Sequence, residues 1–319
     1  MNVVNKSNIE LFPEQALAAL TRLEALLTNS PLKAEVDEAL RLVPGKRAIF
    51  RGRLNDRDVV FRLPLDASNR DGAAKEWDEI ARARHYMSAS PYRVVEPLHF
   101  DPDTGLSIIE YIPGPTLMRQ IRKVTPAEGV ALQDRAAQWL HAYCVPSFKT
   151  RKSRGRWLEK AAQACEKQTH KPLRAPEAEI LRLMTRLDDM LAETDSRAAI
   201  GHGDFHLGNL MTWDDSFIGI DTGGSGRLPI YKDMARAMTH AVRRGVLPSG
   251  QRRFGVDATW VDSFARAFAL SGAETTLSLP YFLCFETLFR VEHPQMDDKR
   301  IALALDMEES LLADLRNIV

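Results

Sequence analysis

The sequence predicts an α+β fold in two parts, a small and mainly antiparallel β lobe followed by a larger and mainly helical one. Three observations carry this. Residues 38–63 and 91–112 hold short runs rich in β-branched and aromatic residues, separated by Pro, Gly, Asn and Asp turns. From Leu117 to about Glu193 the apolar residues instead follow a helical period. Between them Pro113-Gly114-Pro115 interrupts the chain, which sets the expected boundary of a first domain, 1–112, and a second, 113–319. A length of 319 residues suits one large or two medium domains.

A leading helix is expected over 14–28, which Pro13 starts and Asn29-Ser30-Pro31 ends. Its expected apolar face is Leu17, Leu20, Leu23, Ala25 and Leu27. Strands follow at Leu40–Val43, Ala48–Leu54 and Asp58–Leu63, joined by the turns Pro44-Gly45-Lys46 and Asn55-Asp56-Arg57. Ala73–Tyr86 reads as a helix. On it Glu76 shares a face with Ile80 and Ala83, whereas Glu79 falls with Lys75 and Arg82 and is expected to be a solvated ion-pair residue. Strands return at Tyr92–Val95, Pro97–Phe100 and Leu106–Ile112. Helices are then expected over Ala127–Tyr143, Trp157–Ala164, Ala178–Leu191, and near 256–270, 280–291 and 296–317. The basic run Lys149–Arg154 reads as a solvated loop.

The stretch that carries chemistry is His202-Gly203-Asp204-Phe205-His206-Leu207-Gly208-Asn209. Apolar Ala198–Ile200 precedes it, and the strand Ser216–Ile220 follows and ends in Asp221. Acids on a loop between rigid apolar supports point to function. The spacing H-x-D-x-x-x-x-N, then a strand and an Asp, suits phosphoryl transfer. A carboxylate at Asp204 would orient the attacking hydroxyl and accept its proton, and Asn209 and Asp221 would offer oxygen ligands to Mg²⁺.

With Ile220-Asp221, Ser225-Gly226-Arg227 and Tyr231-x-Asp233-Met234-Ala235 behind that loop, the sequence resembles the aminoglycoside phosphotransferase and choline kinase-like superfamily. The resemblance is specific over roughly 198–240, weaker over 45–115, and nearly absent over the last 75 or so residues. It implies a two-lobed protein-kinase-like fold and an ATP- and Mg²⁺-dependent transfer of the γ-phosphate to a hydroxyl of a small molecule. It implies Asp204 as the catalytic base, Asn209 and Asp221 as metal ligands, and His206 near the γ-phosphate. Arg62 stands where the family places a phosphate-gripping lysine, with Glu76 holding it. At the hinge it implies adenine contacts from the Glu110 carbonyl and the Ile112 amide. Asp233 would hold the catalytic loop from below. The turn before the second strand holds one glycine, a poor version of a phosphate-covering loop.

Two other readings compete. His202, Asp204 and His206 as metal ligands would make a metal-dependent hydrolase. The arginine at 62 and the sparse glycine turn would suit an inactive kinase-like binding or regulatory module. The 43 basic and 43 acidic residues balance, which gives no support to a nucleic-acid or membrane-surface partner. Cys144, Cys165 and Cys284 lie far apart and without metal spacing, and no apolar run reaches spanning length. The expected setting is therefore the cytoplasm. The C-terminal helices match no acceptor class, and no P-loop, serine-hydrolase or dinucleotide motif is present.

Overall fold

The computed structural model describes residues 12–151, 156–223, 226–289 and 296–319. The chain divides into two compact units: Met1–Gly114 with Ile218–Gly223, and Pro115–Phe217 with Gly224–Val319.

The first unit starts with α1 (Pro13–Thr28), then β1 (Ala34–Val43), β2 (Arg47–Leu54) and β3 (Arg57–Pro64). After α2 (Arg70–Arg84) come β4 (Tyr92–Val94), β5 (Pro97–Phe100) and β6 (Ser107–Glu110), the last strand ending two residues before the expected Ile112. Five strands form one antiparallel sheet in the order β1-β2-β3-β6-β5. The β2–β3 hairpin turns on Asn55 and Asp56, both with positive φ, because a two-residue turn must match the twist of its strands. Strand alternation sends Val59, Phe61 and Leu63 to one face, where they pack with Phe50, Ile108 and the α1 residues Ala19, Leu23 and Leu27. The opposite face carries Arg62.

Two expectations need correction here. The buried stripe of α1 is Ala16, Ala19, Leu23 and Leu27, while Leu17 is 65% exposed. At 3.6 residues per turn, Leu17 lies a quarter-turn away from that stripe. Glu79 is buried rather than solvated: the Arg82 guanidinium forks onto its carboxylate and also donates to the Tyr86 hydroxyl, so the ion pair holds while water is excluded.

The second unit is mainly helical: α3 (Leu117–Ile121), α4 (Pro126–Cys144), α5 (Trp157–Cys165), α6 (Lys171–Met190), α7 (Ile230–Val242), α8 (Ala258–Ala267), α9 (Leu279–Phe289) and α10 (Asp298–Leu315). Thr125 and Glu128 form a reciprocal capping box at the start of α4. Helix α6 begins seven residues before the expected Ala178, with Pro172 in its first turn, where a missing N–H costs nothing. Lys149–Arg151 is not a loop but an edge strand, β7, paired with β8 (Ser196–Ile200); the rest of that basic run lies outside the described residues. The loop of interest follows β8, and β9 (Leu210–Trp213), β10 (Ser216–Gly219) and β11 (Arg227–Pro229) come next, β11 pairing with the other edge of β8. Helix α9 is buried from Leu279 to Leu288 and forms the core of this unit. Among the described residues no helix is long and apolar enough to cross a membrane.

Candidate active site

The loop after β8 is held at two successive residues, His202 and Gly203. His202 is fully buried, its ring against Trp139, Phe205 and Tyr143 at centroid distances of 6.0, 5.8 and 6.1 Å. Gly203 has φ +84°, a conformation that favours glycine. Its N–H donates to both carboxylate oxygens of Asp233 at 3.1 Å. Its carbonyl accepts from the Lys232 ammonium at 3.4 Å, and Lys232 is paired in turn with the buried Glu286 at 3.3 Å. Consecutive residues in the first turn of α7 therefore hold the peptide units on both sides of Gly203.

Asp204 projects from this anchored backbone with its side chain half-exposed. Arg236, one turn along α7 from Lys232, donates its Nε–H to Asp204 Oδ1 at 2.8 Å. His206 Nε2 lies 3.7 Å from Oδ2. Burial pushes the Asp204 carboxyl up, but the His206 imidazole and the Arg236 guanidinium outweigh it and hold the group well below the usual carboxylate range. His206 Nδ1 accepts the Gly208 N–H at 3.0 Å, so the ring proton sits on Nε2, facing Asp204. The His206 ring stacks on His240 of α7 at 4.0 Å, and burial lowers both histidine pKa values. Asn209 is buried and donates its amide N–H to the Asp204 carbonyl at 3.0 Å, which leaves the amide oxygen to accept a hydrogen bond or to coordinate a cation.

In the first unit a second cluster forms around Arg62, which is only 7% exposed. Arg62 Nη2 donates to Glu76 Oε2 and, at 2.8 Å, to Asp221 Oδ1. Arg47, at the start of β2, donates from Nη1 to Glu76 at 2.7 and 2.8 Å and from Nη2 to Asp221 Oδ1 at 2.8 Å. Burial lowers the Arg47 pKa, and the Asp221 and Glu76 charges more than reverse that, so it ends raised. Asp221 has φ +61°, in the left-handed region that Asp and Asn enter more readily than other non-glycine residues. At the end of β6 the Glu110 carboxylate accepts both Arg93 guanidinium nitrogens, at 2.6 and 2.9 Å, and the Glu96 N–H at 3.1 Å. Ile112 is buried just beyond.

Of the residues singled out in the sequence, Arg62, Glu76 and Asp221 thus meet in one cluster, and Asp204, His206 and Asn209 in another. The aromatic cage around His202 removes it from the proposed hydrolase ligands. Among the described residues no group of three or more His, Cys, Asp or Glu is placed to hold a metal. Sequence reasoning missed Arg47, Arg236 and His240. Register holds the signal for Arg47: Ile49 pairs with Arg62, so Arg47, two residues before, is a diagonal neighbour on the same face. Arg236 and His240 are four residues apart on α7 and so share a face, one turn beyond Lys232 and Asp233.

A small antiparallel sheet unit, a helical unit and an acid-bearing loop tied to a helix define a protein of the kinase-like α+β class. The profile of the phosphotransferase enzyme family (APH) matches residues 45–269, more than half of the chain, and the protein belongs to that family. Solved structures of the same fold include a choline/ethanolamine kinase family protein from Mesorhizobium loti, 18% identical, covering 94% of this chain and 99% of its own, with a TM-score of 0.59. An amicoumacin kinase in complex with AMP-PNP, Ca²⁺ and Ami is 14% identical, covering 96% and 99%, with a TM-score of 0.58. The choline kinase LicA from Streptococcus pneumoniae is 12% identical, covering 93% and 99%, with a TM-score of 0.57. No curated protein gives a significant sequence match.

Proposed function

We propose that this protein is a small-molecule kinase that uses ATP and Mg²⁺ and moves the γ-phosphate to a hydroxyl group of its acceptor. One observation carries the reading: an ionised, half-exposed carboxylate, Asp204, is aimed by Arg236 from a loop whose backbone is anchored to α7. Asp204 accepts the hydrogen bond of the acceptor hydroxyl and so orients its oxygen for attack. Held below the usual carboxylate range, it is a weak base, so it takes the proton late, as the new O–P bond forms. His206, neutral and bearing its proton on Nε2, donates toward this centre. Arg62, positioned by Glu76, binds the α- and β-phosphates through a charged fork. The Glu110 carbonyl and the Ile112 amide receive the adenine.

The donor chemistry fits a divalent metal of the magnesium type, since Asn209 and Asp221 offer an amide and a carboxylate oxygen, both hard ligands. When bound, Mg²⁺ neutralises charge on the phosphate oxygens during transfer. The amicoumacin kinase of similar fold was solved with AMP-PNP and Ca²⁺, which supports the use of a nucleotide and a divalent cation.

One observation favours a second reading. Asp221 is held by two arginines, the arrangement expected if the chain bound ligands without turning over. A coupled ADP-release assay over a panel of amines, sugars and antibiotics bearing hydroxyls separates the two, with Asp204→Asn as background. Acceptor-dependent ADP release above that background supports the kinase. Nucleotide binding with no release from any acceptor supports the binding module.

A further inference from the structure

We propose that Arg47 is a second ligand for the nucleotide phosphates, resting on Glu76 and Asp221 until phosphate oxygens replace them. The inference rests on the kinase reading above and adds to it a residue outside the loop motif.

The first support is placement. Arg47 directly follows the turn Pro44-Gly45-Lys46 and lies diagonal to Arg62 on one face of the β2–β3 ladder. Both guanidinium groups converge on the same two carboxylates. Side chains that share two anions are placed to share a third.

The second support is an unmet hydrogen bond. The Nη groups of Arg47 make three contacts at 2.7–2.8 Å, yet its Nε–H is buried and has no partner. A buried donor without a partner is costly, and an arginine that served only as an internal tie would leave that cost in place. A phosphate group presents three oxygens and meets Nε and Nη of one arginine together.

Charge provides the third support. Arg47 and Arg62 balance Glu76 and Asp221, so the resting cluster is neutral. Once the Asp221 carboxylate serves as a metal ligand, one arginine is left without its partner. Arg47 is the one free to turn: its side chain is 23% exposed against 7% for Arg62. A polyphosphate chain is the ligand such a pair of forks selects, so the contribution depends on phosphate and not on the nucleoside.

The competing role for Arg47 is a tether that merely holds Asp221. Isothermal titration of the full chain with ADP, with and without Mg²⁺, and with adenosine, separates the two. In Arg47→Ala, ADP affinity is expected to fall roughly 10- to 100-fold while adenosine affinity stays that of the parent. Arg47→Lys is expected to recover part of the loss. Arg47→Gln, which keeps the stem and one N–H donor but loses the charge and the fork, carries the same test if the alanine variant does not fold. ADP affinity equal to or above the parent's, or an equal loss for ADP and adenosine, overturns the inference while leaving the kinase reading intact. A parent chain that binds no ADP at all overturns both.

Discussion

Arg236 Nε and Asp204 Oδ1, 32 residues apart in sequence, are joined by a 2.8 Å hydrogen bond that fixes the direction of the loop's only exposed carboxylate. The bond uses one oxygen and leaves the other on the His206 side. Removing the guanidinium frees the carboxylate to rotate. Arg236→Gln is expected to lower kcat by about 10²-fold, the scale of a small misplacement of a catalytic group, with the KM for ATP little changed. Arg236→Lys should restore part of it. Steady-state kinetics check this; an unchanged kcat in Arg236→Gln shows that the bond does not position Asp204.

Asp204→Asn keeps the shape of the side chain and removes its charge. Turnover is expected to fall by ~10²–10⁴-fold, the usual contribution of a general base. Nucleotide affinity should be retained, since the arginines proposed to bind phosphate are untouched. Rapid-quench measurement of the chemical step, beside calorimetric ADP binding, reads the two effects separately. Parent-like turnover would remove Asp204 from the mechanism.

His240 sets an acid limit on stability. It is buried, faces His206, Arg244 and Arg236, and is held neutral, its pKa far below that of an unfolded histidine. The unfolded chain therefore binds a proton that the folded chain refuses. The stabilisation is fully present above an unfolded pKa near 6.5 and is lost as pH falls, by about 1.4 kcal/mol per unit for this one group. Melting curves between pH 7.5 and 5.0 should show little change down to about pH 6.5 and a growing loss below it, and His240→Phe, which keeps a ring on His206, should flatten that loss. Equal slopes for the two proteins would refute the assignment.

Glu76 depends on a neighbour that cannot grow. A Cβ at Gly223 would sit 2.1 Å from Glu76 Cγ, so Gly223→Ala must push Glu76 off Arg47 and Arg62. Crowding of this kind costs about 1–3 kcal/mol. ADP affinity should fall, as is expected for Glu76→Ala, and the double variant should be no worse than Glu76→Ala alone, because the two act through one contact. Additive losses in calorimetry would mean that Gly223 matters for another reason.

Asp221→Ala removes one of the two proposed metal ligands and the counter-charge of two arginines. Mg²⁺ should then cease to strengthen ADP binding, while binding in the presence of a chelator should hold or improve. A magnesium titration of both proteins decides it. A parent-like magnesium dependence would take Asp221 out of the metal site.

Much of this could be read in the sequence because the relevant forces are local. The Asn55-Asp56 hairpin follows from turn chemistry, and the strand runs beside it from β-branched residues. The spacing of Asp204, Asn209 and Asp221 exposed the loop, and the helical period of α2 placed Glu76 on a face with Ile80 and Ala83. What stayed hidden depends on partners distant in sequence. Arg47 meets Asp221 across 174 residues, a contact that no window around either residue contains. Glu79 looked solvated because its neighbours are charged, but burial is decided by what packs over a helix face. The strand Lys149–Arg151, all exposed, has no apolar alternation to reveal it and exists because β8 offers an edge.

The double hold on Gly203 has a consequence for readiness. With its N–H on Asp233 and its carbonyl on Lys232, Gly203 fixes the two peptides that lead into the proposed base, and they lose their conformational freedom when the chain folds and not when a ligand arrives. The Gly203 amide proton should therefore exchange with deuterium only through larger openings of the helical unit, at a rate that added nucleotide leaves unchanged. Acceptors of different shape would then meet the same stiff backbone, and diversity of substrate would have to arise elsewhere in the chain.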